Sequence, residues 1–288
     1  MNFNLFFLYG EEGKDLPEVE IEEAKALAEA ILAKYDYDFT NYAISSFKRR
    51  LLSFMKKFNI KDIGTLKKKI LESESFFNTF INEITVNTTE LFRDPEVWQA
   101  LVNRAFPLLK ARGEIDVWHA ACSSGEEVIS MAIASREFGL EPNIREIHAT
   151  DINTEMLEIA KEVKYPLRYW DSFVSNYKLY NPDGNLKDHC TIKKSNIHFD
   201  KSLIEKAKFY THNLVIDEPI KQFDIIFCRN VMIYFNPVLQ DQVIKLLYDS
   251  LKPGGILVIG SKESLIWSSI ADKFDSISDY ERIYRKSE

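Results

Sequence analysis

Glu126 and Glu127 stand side by side directly after a turn of small residues, Ala121-Cys122-Ser123-Ser124-Gly125. An apolar run, residues 115–120, enters the turn and a periodic apolar segment leaves it, so the turn joins a buried strand to a helix. Such a corner is the usual cradle for a nucleotide-like ligand in an α/β sheet. With one glycine instead of three, and two carboxylates at the helix start, it would repel phosphate but welcome ribose hydroxyls and a cation. S-adenosylmethionine offers both and carries no phosphate. Asp151 ends a second short strand, residues 145–150, roughly twenty-odd residues past the glycine, where a carboxylate can accept from both ribose hydroxyls. Asp151 would serve as well as N-cap of a helix beginning near Thr154, and the turn would also suit an ordinary strand-turn-helix corner. His119, His148, His189, His198 and His212 form no pair at ligand spacing. Cys122, Cys190 and Cys228 show no CxxC or Cys/His pattern, so no metal site is expected. His119 falls inside the first strand and reads as a packed or supporting histidine rather than a base.

The elements that must position these residues follow from the remaining apolar runs. Residues 208–212 form a third strand ending at Asn213, and residues 223–228 a fourth ending at Arg229-Asn230. A helix over about 237–251 has Pro237 at its start and Lys252-Pro253-Gly254-Gly255 as its stop. Residues 256–259 make a fifth strand, and 274–278 and 280–285 supply two more. This alternation predicts a mostly parallel, doubly wound α/β sheet covered on both faces. Ligands of such sheets bind outside the C-terminal strand ends, where Gly125, Asp151, Asn213 and Asn230 all fall.

Four segments together resemble the CheR family, the chemoreceptor glutamate methyltransferases of bacterial chemotaxis. They are Asn87-Thr88-Thr89-Glu90-Leu91-Phe92-Arg93-Asp94-Pro95, Ala120-Ala121-Cys122-Ser123-Ser124-Gly125-Glu126-Glu127, Thr150-Asp151-Ile152-Asn153, and the run from Phe223 through Cys228-Arg229-Asn230-Val231-Met232-Ile233-Tyr234-Phe235. The last string is the most specific, whereas Lys252-Pro253-Gly254-Gly255 is common to many methyltransferases. The resemblance implies a class I SAM-dependent methyltransferase sheet of seven strands in a domain over 114–288, with a small inserted β-subdomain at about 165–207. It further implies a small N-terminal all-α domain over 1–84 and a linker motif with helix over 85–113. The implied reaction moves a methyl group from S-adenosylmethionine to glutamates of a chemoreceptor's cytoplasmic helical bundle, leaving S-adenosylhomocysteine.

Carried over by position, Asn87, Thr89 and Arg93 would meet the cofactor's methionine end, and Arg93 could instead pair with the incoming glutamate. Glu127 is the better of the two turn acids for the cofactor, and Asp151 takes the ribose. Asn213 and Leu214 would border the adenine, while Asn230 and Val231 line the fourth strand end. Tyr234 joins Arg93 as the catalytic pair, its hydroxyl orienting the substrate, unless it is a packed aromatic beside Phe235. The chain departs from the family at Glu90-Leu91 before Phe92, at Ser124, and at Gly260-Ser261-Lys262-Glu263 in place of Gly-His-Ser-Glu. The last change bears on a local loop and the substrate side. Two other classes stay open: an adaptor that binds S-adenosylmethionine or its product without turnover, and a carboxyl methyltransferase with another protein target.

The 288 residues suffice for one large domain and a small one, and the net charge of −7 argues against nucleic acid as a partner. No run of about twenty uncharged apolar residues occurs, so no membrane insertion is expected. Residues 3–9 are apolar but lack a basic start and a cleavage pattern, which makes a poor signal peptide. With unpatterned cysteines this predicts a cytoplasmic protein, expected as a monomer. Charge is uneven along the chain. Acids dominate 11–29, whereas Lys48, Arg49, Arg50, Lys56, Lys57, Lys61, Lys67, Lys68 and Lys69 follow with Asp62 as the only acid among them. Phe47, Leu51, Phe54, Met55 and Phe58 interleave at helical spacing, so about 44–58 is an amphipathic helix with a basic outer face. Such a face is ordinarily just solvated; the resemblance makes it a docking surface for an acidic receptor bundle. Asn181-Pro182-Asp183-Gly184 is a strong turn between 177–180 and 189–192, within the inserted subdomain.

Overall fold

The computed structural model describes residues 19–35, 37–85 and 87–287, so the apolar stretch 3–9 and much of the acidic stretch lie outside the described residues. The chain divides into two compact units, residues 1–40 with 44–80, and residues 41–43 with 81–288.

The smaller unit is helical. It holds α1 (Ile21–Tyr35), α2 (Ile44–Lys57), α3 (Ile63–Glu72) and most of α4 (Glu74–Ile84). α3 starts where the Asp62 carboxylate accepts the Thr65 amide at 2.7 Å, an N-cap that satisfies an otherwise orphaned donor. α2 buries Phe47, Leu51, Phe54 and Met55. Phe54 meets Phe80 edge-on at 5.1 Å, and Phe39 stacks on Phe47 at 5.0 Å. Arg49, Lys56 and Lys57 of α2 stay exposed, as do Lys61 and, on α3, Lys68 and Lys69.

The larger unit carries the sheet. α5 (Pro95–Ala100), a single π turn (Leu101–Ala105) and α6 (Phe106–Ala111) lead into β1 (Ile115–Ala120). Then come α7 (Glu126–Phe138), β2 (Ile144–Asp151) and α8 (Thr154–Glu162). β6 (Ala207–Thr211), β7 (Phe223–Cys228), α10 (Pro237–Asp249), β8 (Leu251–Ile259), β9 (Phe274–Ser278) and β10 (Ile283–Lys286) complete it. The strand order is β6-β2-β1-β7-β8-β10-β9; the pairs from β6 to β8 are parallel, and β10 runs antiparallel to both neighbours. β1 and β7 are buried along their whole length, as expected for central strands covered on both faces. Alternation sorts their side chains: Val117, Ile225 and Phe227 join the core that includes α7. Trp118 and Ile226 point the other way, to Leu239, Val243 and Leu247 of α10.

The insert contains β3 (Lys164–Pro166), α9 (Trp170–Tyr180), β4 (Cys190–Lys193) and β5 (Asn196–Phe199), with a three-stranded antiparallel sheet ordered β3-β5-β4. Residues 177–180, which lead into the Asn181–Gly184 turn, are the last turn of α9. Glu137 holds this turn, accepting from the Tyr177 hydroxyl and, at 3.1 Å, from Asn181, and meeting His189 at 3.1 Å. The helix expected over 237–251 stops at Asp249, because Leu251 already pairs with Phe223 in the sheet. The Lys-Pro-Gly-Gly stop lies inside β8, where Gly254 takes a φ of 67° and the register shifts between Phe223 and Ile225.

Candidate active site

The turn after β1 is wound tightly enough to need unusual backbone. Ala121 and Ser123 sit at φ 62° and 50°, and Gly125 at 90°. A Cβ on Gly125 would stand 2.8 Å from Ala160 Cβ, so glycine here answers both conformation and a close approach of α8. The Cys122 amide donates to Thr150 O at 2.8 Å and stitches the turn to β2. Beside it, Asp151 Oδ2 accepts the Ser123 amide at 2.8 Å and Oδ1 accepts the Asn153 amide at 2.9 Å. The N-cap of α8 is Asn153, whose Oδ1 accepts from Glu155 and Met156 at 3.0 and 3.2 Å. Asp151 is thus not the cap that sequence alone allowed. It is a buried carboxylate at the strand tip, each oxygen retaining acceptor capacity. Burial raises its pKa and outweighs the amides of Asn153 and Ser123, with a lesser one from Ile152, that favour the charged form.

The two turn acids have different surroundings. Glu126 is buried, accepts the Ser124 hydroxyl at 2.7 Å, and is pushed up to about 7, chiefly by burial. Glu127 points into the strand layer. Its Oε1 lies 2.9 Å from His119 Nδ1 and its Oε2 accepts from Arg229 Nη1 at 3.3 Å. Burial alone would raise the Glu127 carboxyl, but His119 and Arg229 outweigh it and hold it below its ordinary value. Arg229 also donates to Asp94 Oδ2 at 2.8 Å and to the Arg93 carbonyl at 3.1 Å, and lies over the Trp98 ring. The linker and the glycine turn are therefore joined through one buried guanidinium.

The linker is fixed elsewhere too. Phe92 donates its amide to Ser130 Oγ at 2.8 Å, and Trp98 Nε1 donates to Arg93 O at 3.1 Å. Asn87 Nδ2 donates to Asn82 O, and Arg93 Nη1 to Thr88 O at 3.2 Å. Asn87, Thr89 and Arg93 line a cavity of about 820 Å³ together with Ser124, Glu126 and Tyr165. Glu127, Asp151, Asn213, Leu214, Asn230, Val231 and Tyr234 are not among its lining residues; they sit at or just past strand ends. Asn213 follows β6 and accepts the Val215 amide on Oδ1 at 3.0 Å, with Leu214 buried beside it. Asn230, at φ 62°, and Val231 follow β7. Tyr234 closes a short 3₁₀ turn, Met232–Tyr234, whose carbonyl accepts the Ala43 amide at 2.8 Å.

The site also depends on residues that sequence reasoning did not select. Arg229 was only part of a motif string; its signal was a charge directly behind the apolar run Ile225-Ile226-Phe227-Cys228. Glu263, in the loop that departs from the family pattern, accepts the amides of Gly260, Asn230 and Met232 at 2.5, 3.1 and 2.8 Å. It pins the ends of β7 and β8 together. Among the described residues no group of three or more potential ligands is arranged to hold a metal ion, and no helix is long and apolar enough to cross a membrane. Chemically, an ionised carboxylate such as Glu127 can accept from an ammonium, and the spare lone pairs of Asp151 can accept from hydroxyls.

Residues 22–85 match the all-alpha domain of CheR methyltransferases and residues 87–282 match their SAM-binding domain. The chain is 39% identical over 266 residues to a Pseudomonas putida protein named putative methyltransferase Cher3, covering 92% of this chain and 97% of that one. It is 33% identical over 232 residues to a chemotaxis protein methyltransferase of Listeria innocua, covering 80% and 85%. To chemotaxis protein methyltransferase 1 of Vibrio cholerae it is 29% identical over 253 residues, covering 83% and 86%. With both domains matched in order, the chain belongs to the CheR methyltransferase family and is a methyltransferase that uses S-adenosylmethionine.

Proposed function

We propose that the chain forms methyl esters on glutamate side chains in the cytoplasmic helical bundle of bacterial chemoreceptors, working in the cytoplasm during adaptation to stimuli. The observation that carries this reading is the match, across both domains, to relatives named chemotaxis protein methyltransferase. A glutamate is ionised at neutral pH and already nucleophilic, so the site needs no strong general base. Of the histidines near the strand ends, His119 meets Glu127 through Nδ1 and His212 meets the Glu218 carbonyl through Nε2. The bound cofactor supplies an activated methyl group on a sulfonium. The chain's own work is alignment and exclusion of water. Asp151 would hold the ribose, Glu127 the ammonium, and Asn213 with Leu214 the adenine edge. Arg93, half-buried on the cavity wall, offers a guanidinium to a carboxylate, either the cofactor's or the incoming glutamate's. Tyr234 orients that glutamate.

Transfer of labelled methyl into receptor-bearing membranes, followed by alkaline release of methanol, tests for esters directly. Tyr234→Phe should lower kcat and kcat/KM together while S-adenosylhomocysteine still binds, as expected for a contact made mainly in the transition state. Full transfer by that variant would return Tyr234 to a packing role. Cofactor binding with no ester on any receptor glutamate would favour an adaptor instead.

A further inference from the structure

His119 is fully buried in β1, an imidazole inside an otherwise largely apolar strand. Its ring stacks on Phe227 of β7, centroids 4.6 Å apart and 8° from parallel. Nδ1 faces Glu127 Oε1 at 2.9 Å, whereas Nε2 is buried with no hydrogen-bond partner among the described residues. A carboxylate only accepts, so in the neutral ring the proton sits on Nδ1 and Nε2 is a bare acceptor. Burying that acceptor costs free energy which an apolar side chain of similar size would not. Packing therefore does not explain the imidazole; the Nδ1–H does. Arg229 takes the opposite oxygen of Glu127 and is itself held by Asp94, so the carboxylate is gripped from beneath on both sides.

We propose that His119 is a positioning residue for the cofactor: its Nδ1–H fixes the rotamer in which Glu127 meets the ligand's ammonium group. The inference rests on the proposed role of Glu127. It predicts an effect confined to ligands that carry the amino-acid end.

Calorimetry with two ligands reads this. S-adenosylhomocysteine carries the ammonium, while 5′-methylthioadenosine keeps the adenosine and sulfur but lacks the amino-acid end. His119→Leu should weaken the first on the order of tenfold and leave the second within about twofold. His119→Asn places an amide nitrogen near the Nδ1 position and should restore most of the difference; His119→Gln, which places it near Nε2, should not. Equal losses for both ligands, or no loss for either, would overturn the proposal. If His119→Leu does not fold, the Asn and Gln variants decide, and equal ligand ratios in the two count against it. Glu127→Gln separates the two failures. An unchanged ratio there means that Glu127 does not meet the ammonium. A changed ratio there with an unchanged one in His119→Leu removes His119 alone.

Discussion

Asp151 keeps its place through two backbone amides, while the neighbouring Asn153 does the capping, so the two roles that sequence alone could not separate can be tested separately. Asp151→Ala should weaken S-adenosylhomocysteine binding by the loss of ribose hydrogen bonds to a charged acceptor, each roughly 1.5–3 kcal/mol. Asn153→Ala should instead cost about 1 kcal/mol of stability as a lost cap. Calorimetry and urea unfolding of both variants check this, and a cofactor defect in Asn153→Ala as large as that of Asp151→Ala would erase the distinction. Glu126 makes a prediction in pH. Its folded-state pKa of about 7 lies above its ordinary 4.5, so the folded protein holds the proton more tightly than the unfolded chain. The cost of ionising it is absent below about pH 4.5, grows as pH rises towards 7 and is constant above. Glu126→Gln should therefore gain nothing at pH 4 and up to roughly 3 kcal/mol at pH 8 in urea unfolding. A gain independent of pH would assign the effect to packing.

The strand-turn-helix corner shows what was legible at the level of elements and what was not. β1 and β7 could be read residue for residue, because short, mostly apolar runs interrupted only by Asp116, His119 and Asp224 and bounded by turn residues have few other solutions. The π turn at Leu101–Ala105 could not, since the apolar spacing of Trp98, Leu101 and Phe106 continues through it. The start of β8 was hidden because Lys-Pro-Gly-Gly ordinarily ends structure, and only pairing with Phe223 keeps it in the sheet. Arg229 was illegible for a related reason: Asp94 and Glu127, its partners, are more than a hundred positions away in sequence and meet it only once the sheet forms. Gly125→Ala tests the corner itself. The new methyl would press on Ala160 at a φ that L-residues rarely adopt, so a loss of roughly 2 kcal/mol or more is expected. Thermal unfolding measures it, and a neutral result would mean that α8 can yield.

At the scale of the whole molecule, the acidic net charge conceals a local excess of lysine and arginine on α2 and α3. Double reversal, Lys56→Glu with Lys57→Glu, should raise the KM for an acidic receptor and leave S-adenosylhomocysteine affinity unchanged. Its effect should shrink with added salt, since attraction between exposed charges is screened over about 8 Å at physiological ionic strength. A loss that ignores salt would point to damaged folding of the helical unit. The sheet raises a different matter, that of assembly as the chain is made. β9 leaves the ribosome before β10, yet β10 is its sole neighbour in the sheet and also covers the edge of β8. Until Ile283–Lys286 are synthesised, β8 presents an open hydrogen-bonding edge and β9 has nothing to join. Lys286 then donates to the carbonyls of Tyr248 and Leu251, tying this late strand to the end of α10 and the start of β8. Between the making of β8 and that of β10 this edge is open to misassembly, and a nascent chain stalled in that interval carries it exposed.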